Sequence, residues 1–140
     1  MVRISSNELL QLLEKDGRAS FVEMAKRLGT SEAAVRKRVK QLEGEGIIAK
    51  YSIELDPKKA GGYVLAHVGV DAAPEAYIRI RHLAKDWPEV RDAWSATGDH
   101  MLVLSCRFAS SDELVAFVKR VEQTPGVTRT CPTILLERIK

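Results

Sequence analysis

Within the stretch SEAAVRKRVKQLEGEG, Ser31 to Gly46, four cations crowd into five positions: Arg36, Lys37, Arg38 and Lys40. No acid interrupts the run between Glu32 and Glu43. At about 100° per residue on a helix, Val35, Val39 and Leu42 fall within roughly 60° of one another, while Ala33, Arg36, Lys37 and Lys40 lie on the other side. A basic helix is most often a solvated face. Here the charge has a direction, and small Ala33 and Ala34 at the amino end permit close approach to base edges while the cations suit phosphates. Double-stranded DNA is the partner this chemistry fits, with Ser31, Ala33, Ala34, Arg36, Lys37, Arg38 and Lys40 as candidate contacts. Arg38 sits near the buried border and either braces the helix or reaches a phosphate.

The charge balance along the chain agrees. Residues 1–60 hold 12 Lys+Arg against 9 Asp+Glu, whereas residues 61–140 hold 10 of each, so the whole excess of the +3 net charge lies amino-terminal. Such an asymmetry is what an anionic partner selects.

Other chemistries find little support. The only asparagine is Asn7, and no paired carboxylates, nucleophile–base pair or glycine-rich phosphate loop stands out, so an enzyme is not expected and no catalytic residue is assigned. His100, Cys106 and Cys131 match no metal-ligand spacing; no metal or cofactor is expected, and the two cysteines read as reduced, buried thiols. Polar Ser5, Ser6 and Asn7 follow after only four residues, unlike a secretory leader, and no apolar run approaches the ~18 residues of a membrane span. A cytoplasmic protein that does not engage membranes is expected.

The elements that must position the basic face can be read from caps and periodicity. With 45% hydrophobic residues the chain should bury a real core. Ser5-Ser6-Asn7-Glu8 and Ser20-Phe21-Val22-Glu23 are capping-box sequences. Gly17 is placed to end the first helix in the left-handed conformation, Gly29 the second, and Gly44 or Gly46 the third, which Thr30 or Ser31 caps. Ala25, Gly29 and Val35 have the spacing of a tight helix-turn-helix. Ile47 to Leu55 then alternates as a short strand, giving a winged variant whose Lys50, Lys58 and Lys59 could touch phosphate. Gly61 and Gly62 close a hinge.

The remainder predicts strand, helix, strand, strand, helix, strand: Tyr63–Asp71, Pro74–Trp87, Glu89–Thr97, His100–Phe108, Ser111–Gln123 and Val127–Ile139. Val64, Ala66, Val68 and Val70 share one strand face; Tyr77, Ile80, Leu83 and Ala84, then Leu114, Val115, Phe117, Val118 and Val121, point inward from the helices. This order implies a ferredoxin-like βαββαβ domain with both helices on one sheet face. The fold class is therefore α+β: a winged helix-turn-helix over 1–52, a hinge strand over 53–62 and the βαββαβ domain over 63–140. Tyr63, Leu65, His67, Met101 and Val103 would line an uncovered sheet face that a partner subunit would cover. Gly98-Asp99-His100 is, at its simplest, a hairpin turn, and His82 a surface residue.

Asp16-Gly17-Arg18, the Ser31, Val35, Arg38, Val39, Leu42 and Gly46-Ile47-Ile48 pattern, Thr97-Gly98-Asp99 and Pro125-Gly126-Val127 occur in an order that resembles the Lrp/AsnC ("feast-famine") transcription regulators, over nearly the whole chain. The resemblance implies a sequence-specific regulator, a homodimer formed by the carboxy-terminal sheets, higher assemblies up to octamers, and an amino-acid effector held by Gly98, Asp99, His100 and Met101 with Thr130 and Thr133. Two positions depart from the family pattern: Met101 stands where an aspartate is common, and Arg3 and Ser6 stand where two aspartates often precede the first helix. The first departure leaves Asp99 as the nearby carboxylate for an effector's ammonium, or else backbone and threonine oxygens must hold it. A non-specific architectural DNA binder without effector is the competing reading.

Overall fold

The computed structural model describes residues 5–140; Arg3 and the first residues of the expected amino-terminal unit lie outside them. The chain divides into two compact units, Met1–Glu54 and Leu55–Lys140.

The amino-terminal unit contains α1 (Ser6–Lys15), α2 (Phe21–Leu28) and α3 (Glu32–Gly44). Each begins where a serine hydroxyl satisfies an otherwise orphaned N–H. Ser5 accepts from the Glu8 amide, Ser20 from Glu23 and Ser31 from Ala34. At α2 the box is reciprocal, because the Glu23 carboxylate accepts from the Ser20 amide at 3.0 Å. That backbone bond and the Ser20 hydroxyl hold the Glu23 carboxyl below its ordinary range. Gly29 ends α2 at φ 63°, a conformation that costs a side-chain-bearing residue. Gly17 does not end α1 in that way: extended Asp16 is the cap, its amide donating to the Leu12 carbonyl. Leu9, Met24, Ala25, Val35, Val39 and Leu42 form the core of this unit, the last three from one stripe of α3.

The strand expected over Ile47–Leu55 is not formed among the described residues. The amides of Ile47 and Ile48 fold back onto the Leu42 carbonyl. Beyond them the segment is alternating in sequence, but an isolated extended stretch becomes a strand only beside another, and all the sheet pairings involve strands of the second unit. Among the described residues the wing expected from sequence is therefore not formed. At the hinge, Asp56 Oδ1 accepts from the amides of Lys58 and Lys59, forming a turn that runs into Gly61.

The second unit runs β1 (Val64–Ala72), a 3₁₀ turn (Pro74–Ala76), α4 (Tyr77–Asp86), β2 (Val90–Ser95), β3 (Leu102–Phe108), α5 (Ser111–Glu122) and β4 (Val127–Ile134). The sheet order is β2-β3-β1-β4, antiparallel throughout, which is the βαββαβ arrangement the element order implies. Its helix-covered face buries Ala66, Val68 and Val70 of β1 and Leu102, Leu104, Cys106 and Phe108 of β3 under Ile80, Ala84, Leu114, Phe117 and Val121. Phe117 meets Trp87 edge-on at 5.7 Å and Phe108 at 5.4 Å. Three expectations are corrected. Val115 is exposed, since only one stripe of α5 meets the sheet; Cys131 is exposed on the opposite sheet face while Cys106 is buried; the last strand ends at Ile134, with one further bond from the Leu135 amide to the Leu65 carbonyl. Burial and the nearby Glu89 carboxylate push the Cys106 thiol up to about 12, so it is an inert core residue.

No helix of this unit covers the other sheet face. The register aligns Leu65, His67, Gly69 and Asp71 of β1 with Arg107, Ser105 and Val103 of β3, with Arg129, Cys131 and Thr133 of β4, and beyond β3 with Trp94 of β2. Among the described residues no helix is long and apolar enough to cross a membrane.

Candidate functional site

The basic residues occupy the exposed side of α3. Ser31, Glu32, Ala33, Arg36, Lys37 and Lys40 line one concave surface. Five of these six are expected from sequence; Glu32 is the addition. The four cations do not behave alike. Arg38 is half-buried: its guanidinium donates to the Ser6 hydroxyl through both Nε, at 3.1 Å, and Nη2, and to Gln41 Oε1 at 2.6 Å. It ties α3 to α1, the bracing role, and Ser6 serves as its acceptor. Ala34 is half-buried on the same flank. Arg36 leans to the opposite flank, 2.5 Å from Glu32 Oε1 and with Cζ 4.7 Å from the centroid of the Phe21 ring. Lys37 and Lys40 stay exposed between them. The Ser31 hydroxyl accepts from Ala34, yet its own proton stays available to a phosphate.

A face of this kind binds polyanions through countercharge and reads sequence only where a side chain reaches a base edge. Ala33, with nothing beyond Cβ, lets the backbone come near.

The second cluster lies on the open sheet face. Gly98, at φ 106°, turns the chain between β2 and β3, and the Ala96 amide donates to the Met101 carbonyl at 3.0 Å to close the hairpin. What holds the loop is Asp71, which the sequence reading does not single out. Its Oδ1 accepts from the Met101 amide at 3.0 Å, its Oδ2 lies 3.1 Å from His100 Nδ1, and Arg129 Nε donates to the same Oδ2 at 2.8 Å. Arg129 Nη2 also donates to the Asp99 carbonyl at 2.7 Å. The Asp71 carboxyl is partly desolvated, which alone would raise its pKa, but the Met101 amide, His100 and the Arg129 guanidinium outweigh that and hold it below the carboxylate range. The His100 ring lies directly over Gly69: a Cβ there would be 2.2 Å from its Cδ2. Gly69 is therefore the gap into which the histidine fits.

Gly98, Asp99, His100 and Met101 are thus brought together, whereas the two threonines point apart. Thr130 donates to Glu122 Oε1 at 2.7 Å on the helix side. Thr133 sits opposite His67 on the open side. Within one chain they cannot serve one ligand together. Asp71, Gly69 and Arg129 escape a sequence reading because only the β1–β4 register places Asp71 beside Arg129. The one available signal is that Asp71 falls on the face opposite Val68 and Val70 in an alternating strand.

Known proteins share both units. Residues 7–43 match the family model of the AsnC-type helix-turn-helix domain, and residues 64–140 that of the Lrp/AsnC ligand binding domain. The HTH-type transcriptional regulator LrpA of Pyrococcus horikoshii is 40% identical over 133 residues, covering 94% of each chain. LrpA1 of Halobacterium salinarum is 37% identical over 137 residues, 97% of this chain and 96% of its own. Among solved structures, a transcriptional regulator of Neisseria meningitidis in complex with L-Met superposes with a TM-score of 0.82 at 26% identity, over 100% of this chain and 93% of that one.

Proposed function

From the premise that the chain belongs to the Lrp/AsnC family of transcriptional regulators, we propose that it binds specific DNA sequences through α3 and that a small molecule of the amino-acid class modulates this binding. The observation that carries the reading is the shared exposed face of Ser31, Ala33, Arg36, Lys37 and Lys40, backed by Ala34 and by Arg38 as the strut to α1. Base edges are then met by the amino end of α3 and phosphates by Lys37 and Lys40.

The open sheet face, with Tyr63, Leu65, His67, Val103 and Trp94, pairs with that of a second copy, and dimers assemble further, up to octamers. Trp94, 64% exposed in the single chain, is too large an apolar side chain to leave in water when a neighbouring sheet can cover it. Residues 53–62 link the DNA-binding unit of 1–52 to the dimerising unit of 63–140. The effector sits at the Gly98–Met101 loop, with threonines from two subunits, since Thr130 and Thr133 of one chain face opposite ways. Its ammonium is taken by the exposed Asp99 side chain or by carbonyl and hydroxyl oxygens, because the Asp71 carboxylate is already engaged. A buried ammonium without such a partner would be too costly.

In-vitro selection of bound duplexes tests the reading. A two-fold dimer predicts a pseudo-palindrome with half-sites about one helical turn apart. Recovery of duplexes without common sequence would instead identify an architectural DNA binder.

A further inference from the structure

Glu32 is the sole acid among the residues lining the α3 surface, where a polyanion would repel it. It opens the helix, and its Oε1 lies 2.5 Å from Arg36 Nη2. Its simplest role is local: an acid in a first helical turn favours the helix dipole, and an i,i+4 pair adds a little more. Two further facts ask more of it. Arg36 is held from a second side by the Phe21 ring, its Cζ 4.7 Å from the centroid. Both side chains of the pair are about half exposed, at 52% and 45%, so neither is hidden from a ligand on this face.

We propose that Glu32 and Arg36 act as one specificity-determining pair that selects a G·C base pair in each half-site. This rests on the sequence-specific DNA binding proposed above. The guanidinium, restrained by Glu32 and Phe21, presents its fork for the O6 and N7 acceptors of guanine and loses less freedom on binding than a free arginine would. The Glu32 carboxylate accepts from the N4 amine of cytosine, one of the two kinds of donor that the major groove offers. At adenine the N6 amine can meet the carboxylate but the guanidinium finds no O6 acceptor beside N7, and where no exocyclic amine is in reach the carboxylate faces acceptors and phosphates and its charge opposes binding. Glu32 therefore lowers affinity for DNA in general, and the pair recovers the loss in full only at G·C, so discrimination comes from the repulsive element as well as the attractive one.

The test compares the full-length wild type with Glu32→Gln and Arg36→Lys, using the selected duplex, single-base-pair variants of it and a random duplex of equal length. Gln keeps the size of Glu32 and removes its charge. It is expected to raise affinity for random DNA several-fold and to erase about tenfold discrimination at one base-pair position per half-site, within the range of a single base contact. Lys keeps the charge at position 36 without the fork. It is expected to lose the same preference while leaving the salt dependence unchanged, which keeps the proposal testable even if the Gln variant folds poorly. If the wild type discriminates and both variants do so equally well, the pair is only a helix-end ion pair and the proposal falls alone. If the wild type itself binds selected and random duplexes equally, sequence-specific binding fails and the pair falls with it.

Discussion

Replacing Lys37 and Lys40 together by alanine should flatten the salt dependence of DNA binding without disturbing the fold. Of the four cations on α3, Arg38 is turned inward onto Ser6 and Gln41, which leaves Arg36, Lys37 and Lys40 facing outward. With Arg36 paired to Glu32, Lys37 and Lys40 of a dimer displace about four counterions, so log affinity against log salt should have a slope of about −3.6, a fall of roughly 150-fold between 50 and 200 mM. The double substitution removes all four, and the slope should drop to about zero over the same range. Fluorescence anisotropy with a labelled duplex at four salt concentrations measures both lines. Arg38→Ala is the internal control: it should lower the thermal midpoint by releasing α3 from α1 and leave the slope close to that of the wild type. Parallel lines for the wild type and the double variant would refute the assignment of this face to phosphate contact.

Three further outcomes concern the cluster of Asp71, Gly69 and the Gly98 loop. Asp71 has a depressed pKa in the folded state, so its contribution is present above the unfolded pKa and is lost as pH falls through the folded value; melting midpoints from pH 6 to 3 should fall more steeply for the wild type than for Asp71→Asn, and equal slopes would contradict the linkage. Gly69→Ala places a methyl group where the His100 ring lies and should cost about 1–3 kcal/mol by overpacking; His100→Ala in the same chain should restore part of it, and a double variant no more stable than Gly69→Ala would show that the clash is relieved elsewhere. An amino acid that binds should stabilise the chain by about 2.7 kcal/mol at a hundred times its dissociation constant; a thermal-shift screen in which no amino acid moves the midpoint would leave the Gly98 loop as a turn only.

What the sequence discloses is local. Serine caps, Gly29 and the Val35, Val39 and Leu42 stripe lie within a few residues of the groups they satisfy, so the helices and the direction of the basic face could be read directly. Alternation in β1 separates Val68 and Val70 from His67 and Gly69, and the element order then implies the sheet. Contacts between distant segments carry no such mark. Asp71 meets Arg129 across 58 positions and His100 across 29, and their meeting depends on strand register. Arg38 finds Ser6 32 residues away, a contact that supports its bracing role. The Ile47–Leu55 strand fails for the same reason in reverse: alternation describes a strand's faces but does not supply its neighbour. Gly17 shows that a glycine at the right distance is no guarantee of a left-handed cap when an aspartate just before it can close the helix.

On bound DNA the exposed side of α3, as proposed above, lies against base edges. Ala33 is exposed at the amino end of that helix, with space for a larger group. A photoreactive side chain introduced at position 33, irradiated on the selected duplex and mapped by strand cleavage, reads the contact directly. Cross-links are expected to bases at two symmetry-related positions about one helical turn apart, and none from a control group at exposed Glu14 on α1. Cross-links from position 33 scattered along the duplex, or stronger ones from position 14, would contradict this placement of α3.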